Sequence, residues 1–194
     1  MHIIGILLAA GFSRRFGAAN KLAHLLPDGR PIGLAAAQNL AAAIPTSIAV
    51  IRPGEEALGE LFAAAGLTVM TCEAHKQDMA DSLATAVKHT ADAAPAGFVI
   101  ALADMPFIRN TTIEMVAQKL AAGAAIVMPT YQGQRGHPVG FSARFGSELE
   151  NLHGDEGARS IIKAHSTAVQ IFACDDPGIL ADIDTPDDVK KWAI

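Results

Sequence analysis

Aromatic residues are scarce in this 194-residue chain, at 5% of the total. The interior therefore has to be packed mostly from Ala, Ile, Leu and Val. Cysteine is scarcer still. Cys72 and Cys174 form no CxxC pair and have no nearby pair of histidines, which argues against a zinc site. Both sit in apolar stretches and read as buried free thiols, a usage that fits a reducing cytoplasm. There is no excess of basic residues. The net charge of −5 argues against a nucleic-acid partner, whose phosphates demand a basic surface. No apolar run approaches the ~20 residues that span a bilayer, so no membrane partner is expected. Residues 3–10 are apolar, but cations follow them and none precedes them, the reverse of a secretory leader. GxGxxG and GxxxxGK[ST] are both missing, which disfavours a dinucleotide fingerprint and a P-loop.

What is present is a rhythm. Hydrophobic residues make up 51% and charged residues 18%, the balance of a globular chain, and the length suits one domain over 1–194. A strand over 3–9 opens the chain. The pattern then predicts a helix over 33–43, a strand over 47–51, a helix over 55–65 closed by Gly66, and a strand over 67–72. A helix over 80–90 and a buried strand over 98–103 follow. The next helix, 111–122, has Asn110 or Thr111 to cap it, Glu114 close behind and Gly123 to end it. A strand over 124–128 leads into a polar, glycine-rich loop at 129–138. Beyond it come a strand over 139–142, helical segments around 143–152 and 156–164, a strand over 168–173 and a helix over 185–192. Alternation of this kind predicts an α/β fold, with a mostly parallel sheet covered by helices on both faces. Ligands bind at the carboxyl ends of such strands, which points to 10–21, 72–82, 104–110, 129–138 and 174–184.

Three of these segments carry chemistry. Strand 3–9 runs into Ala10-Gly11-Phe12-Ser13-Arg14-Arg15-Phe16-Gly17-Ala18-Ala19-Asn20-Lys21. Small residues let backbone N–H groups approach phosphates, and Arg15 and Lys21 can neutralise their charge. Asp104, in Ala103-Asp104-Met105-Pro106, stands at the end of a buried strand. One carboxylate there, with phosphate oxygens and water, is the usual way to hold Mg²⁺; a turn cap is the alternative. Asp182-Ile183-Asp184-Thr185-Pro186-Asp187-Asp188 reads in part as a helix start, with Thr185 as cap and Pro186 at the first position. That start leaves Asp182 and Asp184 unused.

Leu8-Ala9-Ala10-Gly11-x-Ser13-x-Arg15-x-Gly17, with Lys21 beyond, resembles the signature of the molybdenum-cofactor nucleotidyltransferases, the MobA-like NTP transferases. Phe16 replaces the methionine usual there. The resemblance extends over nearly the whole chain and implies a Rossmann-like three-layer α/β/α fold of the nucleotide-diphospho-sugar transferase type. It implies a nucleotide site made of Leu8, Ala9, Ala10, Gly11, Ser13, Arg15, Lys21, Ser82 and Asp104, with Arg15, Lys21 and Asp104 catalytic. The family's Asp-Met-Pro and Asp-Ile-Asp-Thr-Pro segments supply two metal carboxylates, here Asp104 and Asp184, for Mg²⁺ or Mn²⁺. Asp182 would support them. Gly136-His137-Pro138 recurs in relatives that work on molybdopterin, so Gly136 and His137 are expected at the acceptor. Arg159 either reaches a phosphorylated acceptor or pairs with Asp155. Asp78 stands where the family tends to have glycine. Ala9-Ala10-Gly11 resembles the relatives that use CTP rather than GTP. The implied reaction is transfer of CMP from CTP to the phosphate of molybdopterin, with a molybdoenzyme or its chaperone as downstream partner. Guanylyl transfer to the same acceptor, transfer to a sugar or polyol phosphate, and a non-enzymatic cofactor carrier are the alternatives.

Overall fold

The computed structural model describes residues 2–9, 20–73, 78–154 and 157–192. Its strands are β1 (Ile3–Leu8), β2 (Ser47–Ile51), β3 (Thr68–Thr71), β4 (Gly97–Leu102), β5 (Ile126–Tyr131), β6 (Gln134–Arg135), β7 (Val139–Ser142) and β8 (Val169–Ala173). Its α-helices are α1 (Ile32–Ala43), α2 (Glu56–Ala64), α3 (Met79–His89), α4 (Asn110–Ala121), α5 (Gly146–Glu150), α6 (Arg159–Ala164) and α7 (Pro186–Trp192).

The strands form one eight-stranded sheet in the order β3-β2-β1-β4-β7-β5-β6, with β8 also paired to β5. The pairs β3–β2, β2–β1, β1–β4 and β5–β8 are parallel, and β7 runs antiparallel between β4 and β5. Side chains alternate across the sheet. Ile4, Ile6, Phe98 and Ile100 pack into the core under α3, α5 and α6, with Leu83, Val87, Leu149 and Ile161. Leu7, Val99 and Ala101 face the other core, under α1, α2, α4 and α7, with Leu40, Phe62, Ile113 and Val189. Both sheet faces are buried, which is why β1 and β4 carry no polar residue. The three-layer α/β architecture expected from the sequence is the one observed.

Three departures bear on the site. The expected loop at 129–138 is largely a hairpin: β5 extends to Tyr131 and pairs with β6, Thr130 opposite Arg135 and Tyr131 opposite Gln134. The turn residues Gln132 (φ 49°) and Gly133 (φ 80°) are both left-handed, the pairing that closes a two-residue hairpin. Helix α4 has Arg109 at its cap position with no side-chain cap bond, while Asn110, inside the first turn, accepts from Thr111 N–H at 2.9 Å. Asp176 braces this end from a distant loop, accepting from Arg109 N–H at 3.0 Å and Thr112 Oγ1 at 2.6 Å. The helix expected over 156–164 is only the short α6, and 143–152 is a 3-10 turn at Ala143–Phe145 followed by α5. At the C-terminal helix the sequence reading holds. Thr185 N–H and Oγ1 both donate to Asp188 Oδ2 at 2.8 Å, tying the first turn of α7 to the loop before it.

Candidate active site

Lys21 opens a 3-10 turn at Lys21–Ala23. The turn is fixed by Asn20, whose Oδ1 accepts from Leu22 N–H at 2.9 Å while its amide donates to Glu55. This clamp aims the ammonium inward. Lys21 Nζ lies 2.8 Å from Asp104 Oδ2 and 3.2 Å from Asp184 Oδ1, and its side chain is 11% exposed. Burial pushes the Lys21 pKa down, but the two carboxylates outweigh burial and hold it above the ordinary lysine value.

Asp104 follows β4, and its segment is held on both sides. Asn39 of α1 donates to the carbonyls of Pro106 at 2.9 Å and Ile108 at 3.0 Å. Ile183 N–H donates to the Asp104 carbonyl at 3.0 Å, which brings the 182–184 loop to the end of β4. Asp184 N–H in turn bonds Asp188 Oδ2 at 3.1 Å. Segments separated by most of the chain thus place two carboxylates around one cationic centre. That centre is occupied here by an ammonium, and the oxygen-only donor set suits a hard divalent cation. No cluster of three or more His, Cys, Asp or Glu side chains able to hold a metal occurs among the described residues.

Beside this centre opens a cavity of about 370 Å³ on the α3 and α6 side of the sheet. Leu8, Leu83, Ile100, Leu102, Met105 and Met128 contribute apolar wall, and the polar side chains among its lining residues are Arg135, His137, Arg159 and Asp182. His137 is delivered by an interruption between β6 and β7. Gly136 N–H donates to Pro129 O and His137 N–H to Ile179 O, both at 3.0 Å. A Cβ on Gly136 would lie 2.2 Å from the Ile179 carbonyl oxygen, so the close approach demands glycine. His137 Nδ1 is buried and has no hydrogen-bond partner. Burial, helped by the Arg159 charge and opposed by Asp104, lowers the His137 pKa and keeps the ring neutral near pH 7.

The structure therefore brings together Lys21, Asp104 and Asp184, and next to them Gly136, His137, Arg159 and Asp182. Other expected residues stand differently. Ala10, Gly11, Ser13, Arg15 and Phe16 lie outside the described residues, as does Asp155. Leu8 forms cavity wall, and its carbonyl accepts from Ala103 N–H, while Ala9 N–H is engaged by Val50 O. These two residues anchor the end of β1 through the sheet ladder. Ser82 is fully buried in the first turn of α3, beside the Cys72 thiol; Asp78 occupies the cap position without a side-chain cap bond. Cys72 is buried as expected, but Cys174 is only half-buried. Arg135, Asn39 and the Asn20–Glu55 clamp were not singled out from the sequence. Asn20 alone had a local signal, as a capping residue directly before a short helical turn.

Comparison with known proteins places these observations. The family model for the MobA-like NTP transferase domain matches residues 5–179. The purine catabolism protein PucB of Bacillus subtilis (strain 168) is 29% identical over 196 residues, covering 96% of this chain and 94% of that protein. Rv0371c from Mycobacterium tuberculosis H37Rv has a crystal structure with a TM-score of 0.81 and 26% identity, covering 98% of this chain and 96% of that one. The crystal structure of Rv0371c in complex with manganese gives a TM-score of 0.79 at 26% identity, covering 98% of this chain and 97% of that one.

Proposed function

The chain belongs to the MobA-like NTP transferase family, and from that premise we propose that it transfers CMP from CTP to the phosphate of molybdopterin, releasing pyrophosphate. The observation that carries this reading is the convergence of Lys21, Asp104 and Asp184 on one point beside the His137 cavity.

An acceptor phosphate oxygen attacks the α-phosphorus in line. A P–O bond forms to the acceptor, the bond between the α-phosphorus and the bridging oxygen breaks, and pyrophosphate leaves with that electron pair. The nucleophile is already an anion, so the step needs no general base and rests on position and charge. Lys21 offsets negative charge on the triphosphate and on the leaving pyrophosphate. Asp104 and Asp184 would hold Mg²⁺, or Mn²⁺ in its place. Such an ion would supply positive charge to stabilise the negative charge that develops during transfer.

The cavity supports the acceptor. A sugar or polyol phosphate needs hydrogen-bond partners on all sides, whereas this wall is mostly aliphatic and methionine side chains. A flat heterocycle fits better, with Arg135 and Arg159 near its phosphate and His137 against its edge. For the base, support comes from Ala9-Ala10-Gly11, the sequence of the CTP-using relatives.

The test is pyrophosphate release in the presence of Mg²⁺, with each nucleoside triphosphate in turn and with molybdopterin or a sugar phosphate. Release with CTP and molybdopterin is the expected result. Release with GTP alone reassigns the base, and release only with a sugar phosphate reassigns the acceptor. Cofactor binding without release from any pairing means a carrier and overturns the proposal.

A further inference from the structure

The Lys21 ammonium occupies the place where a divalent ion would meet Asp104 and Asp184. It touches both carboxylates, at 2.8 Å and 3.2 Å, and is buried between them. A metal ion and this ammonium cannot share the position. They compete for the same oxygens, and their like charges repel at such range. Asn20 caps the turn of Lys21 and is tied to Glu55, which fixes the backbone from which the long, flexible side chain extends.

We propose that Lys21 is the resident counter-ion of the metal site, and that a nucleoside triphosphate opens the site by drawing the ammonium onto its phosphates. Metal and nucleotide then bind with positive coupling. Each raises the affinity of the other by the same factor, and beyond direct coordination by the phosphates part of that factor comes from the nucleotide removing the competitor of the metal. Without nucleotide the carboxylates are already neutralised in part and prearranged, and the metal binds weakly. The inference rests on Asp104 and Asp184 being the metal ligands.

Mn²⁺ binding followed by electron paramagnetic resonance tests this directly, with and without a non-hydrolysable CTP analogue. Wild type, Lys21→Gln, Lys21→Met and Asp104→Asn are compared, with thermal melts to confirm folding. In wild type the analogue should tighten Mn²⁺ binding at least about tenfold. Both Lys21 variants should bind Mn²⁺ alone about tenfold more tightly than wild type, with Mn²⁺ raising their melting temperature, and should show a smaller enhancement by the analogue than wild type, the remainder being coordination by the phosphates themselves. Unchanged or weaker Mn²⁺ binding by folded Lys21 variants overturns the competition while leaving the metal site standing. Mn²⁺ binding by Asp104→Asn equal to that of wild type shows the ligand assignment itself to be wrong, and the inference falls with it.

Discussion

Asp104 and His137 illustrate how differently one residue type and another reveal a role. Asp104 is legible because a carboxylate directly after a buried strand has few structural reasons to be there, and the structure places it against Lys21. Replacing it with Asn keeps shape and removes charge. The expected outcome is a loss of about a thousandfold in turnover, several kcal/mol of charge stabilisation, with an unchanged circular dichroism spectrum. Retained turnover would place the metal elsewhere. His137 is one of seven histidines, and only the family pattern separates it from the others. Its buried Nδ1 without a partner gives it a physical reason to meet a ligand. His137→Phe should raise the acceptor KM about tenfold, the cost of one lost buried hydrogen bond, and leave the CTP KM unchanged. Because burial lowers the His137 pKa, its ring is neutral above the ordinary histidine range. The acceptor KM of the wild type should therefore be flat above about pH 6.5 and rise only at lower pH as the ring protonates. An inflection near pH 7 that disappears in His137→Phe would contradict this.

The elements that bound the site differ in how plainly the sequence marks them, because the interactions that form them differ in range. β1 and β4 are buried on both faces and announce themselves by unbroken apolar runs. β6 has two exposed residues and depends on a left-handed turn, so no periodicity marks it. The start of α4 was assigned to Asn110 or Thr111 because capping is read locally, whereas its carboxylate comes from Asp176. Asp176 is 2% exposed and also accepts from Gly178 N–H at 3.0 Å. It thereby couples α4 to the 177–180 turn that carries the carbonyl partner of His137. Asp176→Ala leaves buried donors unpaired and should cost about 2 kcal/mol in urea denaturation. A change below a few tenths would mean that water replaces it freely. Thr185 as the cap of α7 is legible because capping is local, and the structure adds its pairing with Asp188. Hydrogen bonds from Thr185 hold the Asp188 carboxyl below its ordinary value of 3.8. A carboxylate with a depressed folded pKa stabilises above its unfolded pKa and loses that contribution as pH falls through the folded one. Asp188→Ala should therefore lower the melting temperature at pH 7, and the gap to wild type should close as pH drops below 3.8. A gap independent of pH would assign the effect to packing.

At the scale of the molecule, Asp104 follows β4 in the parallel half of the sheet, the Lys21 turn packs its ammonium against it, and the 182–184 loop crosses back to complete the pair of carboxylates. The antiparallel insertion of β7 makes room for the His137 interruption next to them. Fold class followed from alternation and burial alone. The cavity did not, because a cavity is a property of how α3, α6 and the hairpin meet, and no single segment encodes it. The same holds for the Lys21 contacts, which join residues far apart in the chain. No described helix is long and apolar enough to cross a membrane. Composition, strand ends and motifs thus lead to nucleotidyl transfer. The most direct measurement is transfer of label from [α-³²P]CTP to molybdopterin in the presence of Mg²⁺, with pyrophosphate counted in the same reaction. Labelled acceptor and pyrophosphate should appear in equal amounts, both abolished by Asp104→Asn. Label that stays on free nucleotide, or pyrophosphate released without labelled acceptor, would contradict this.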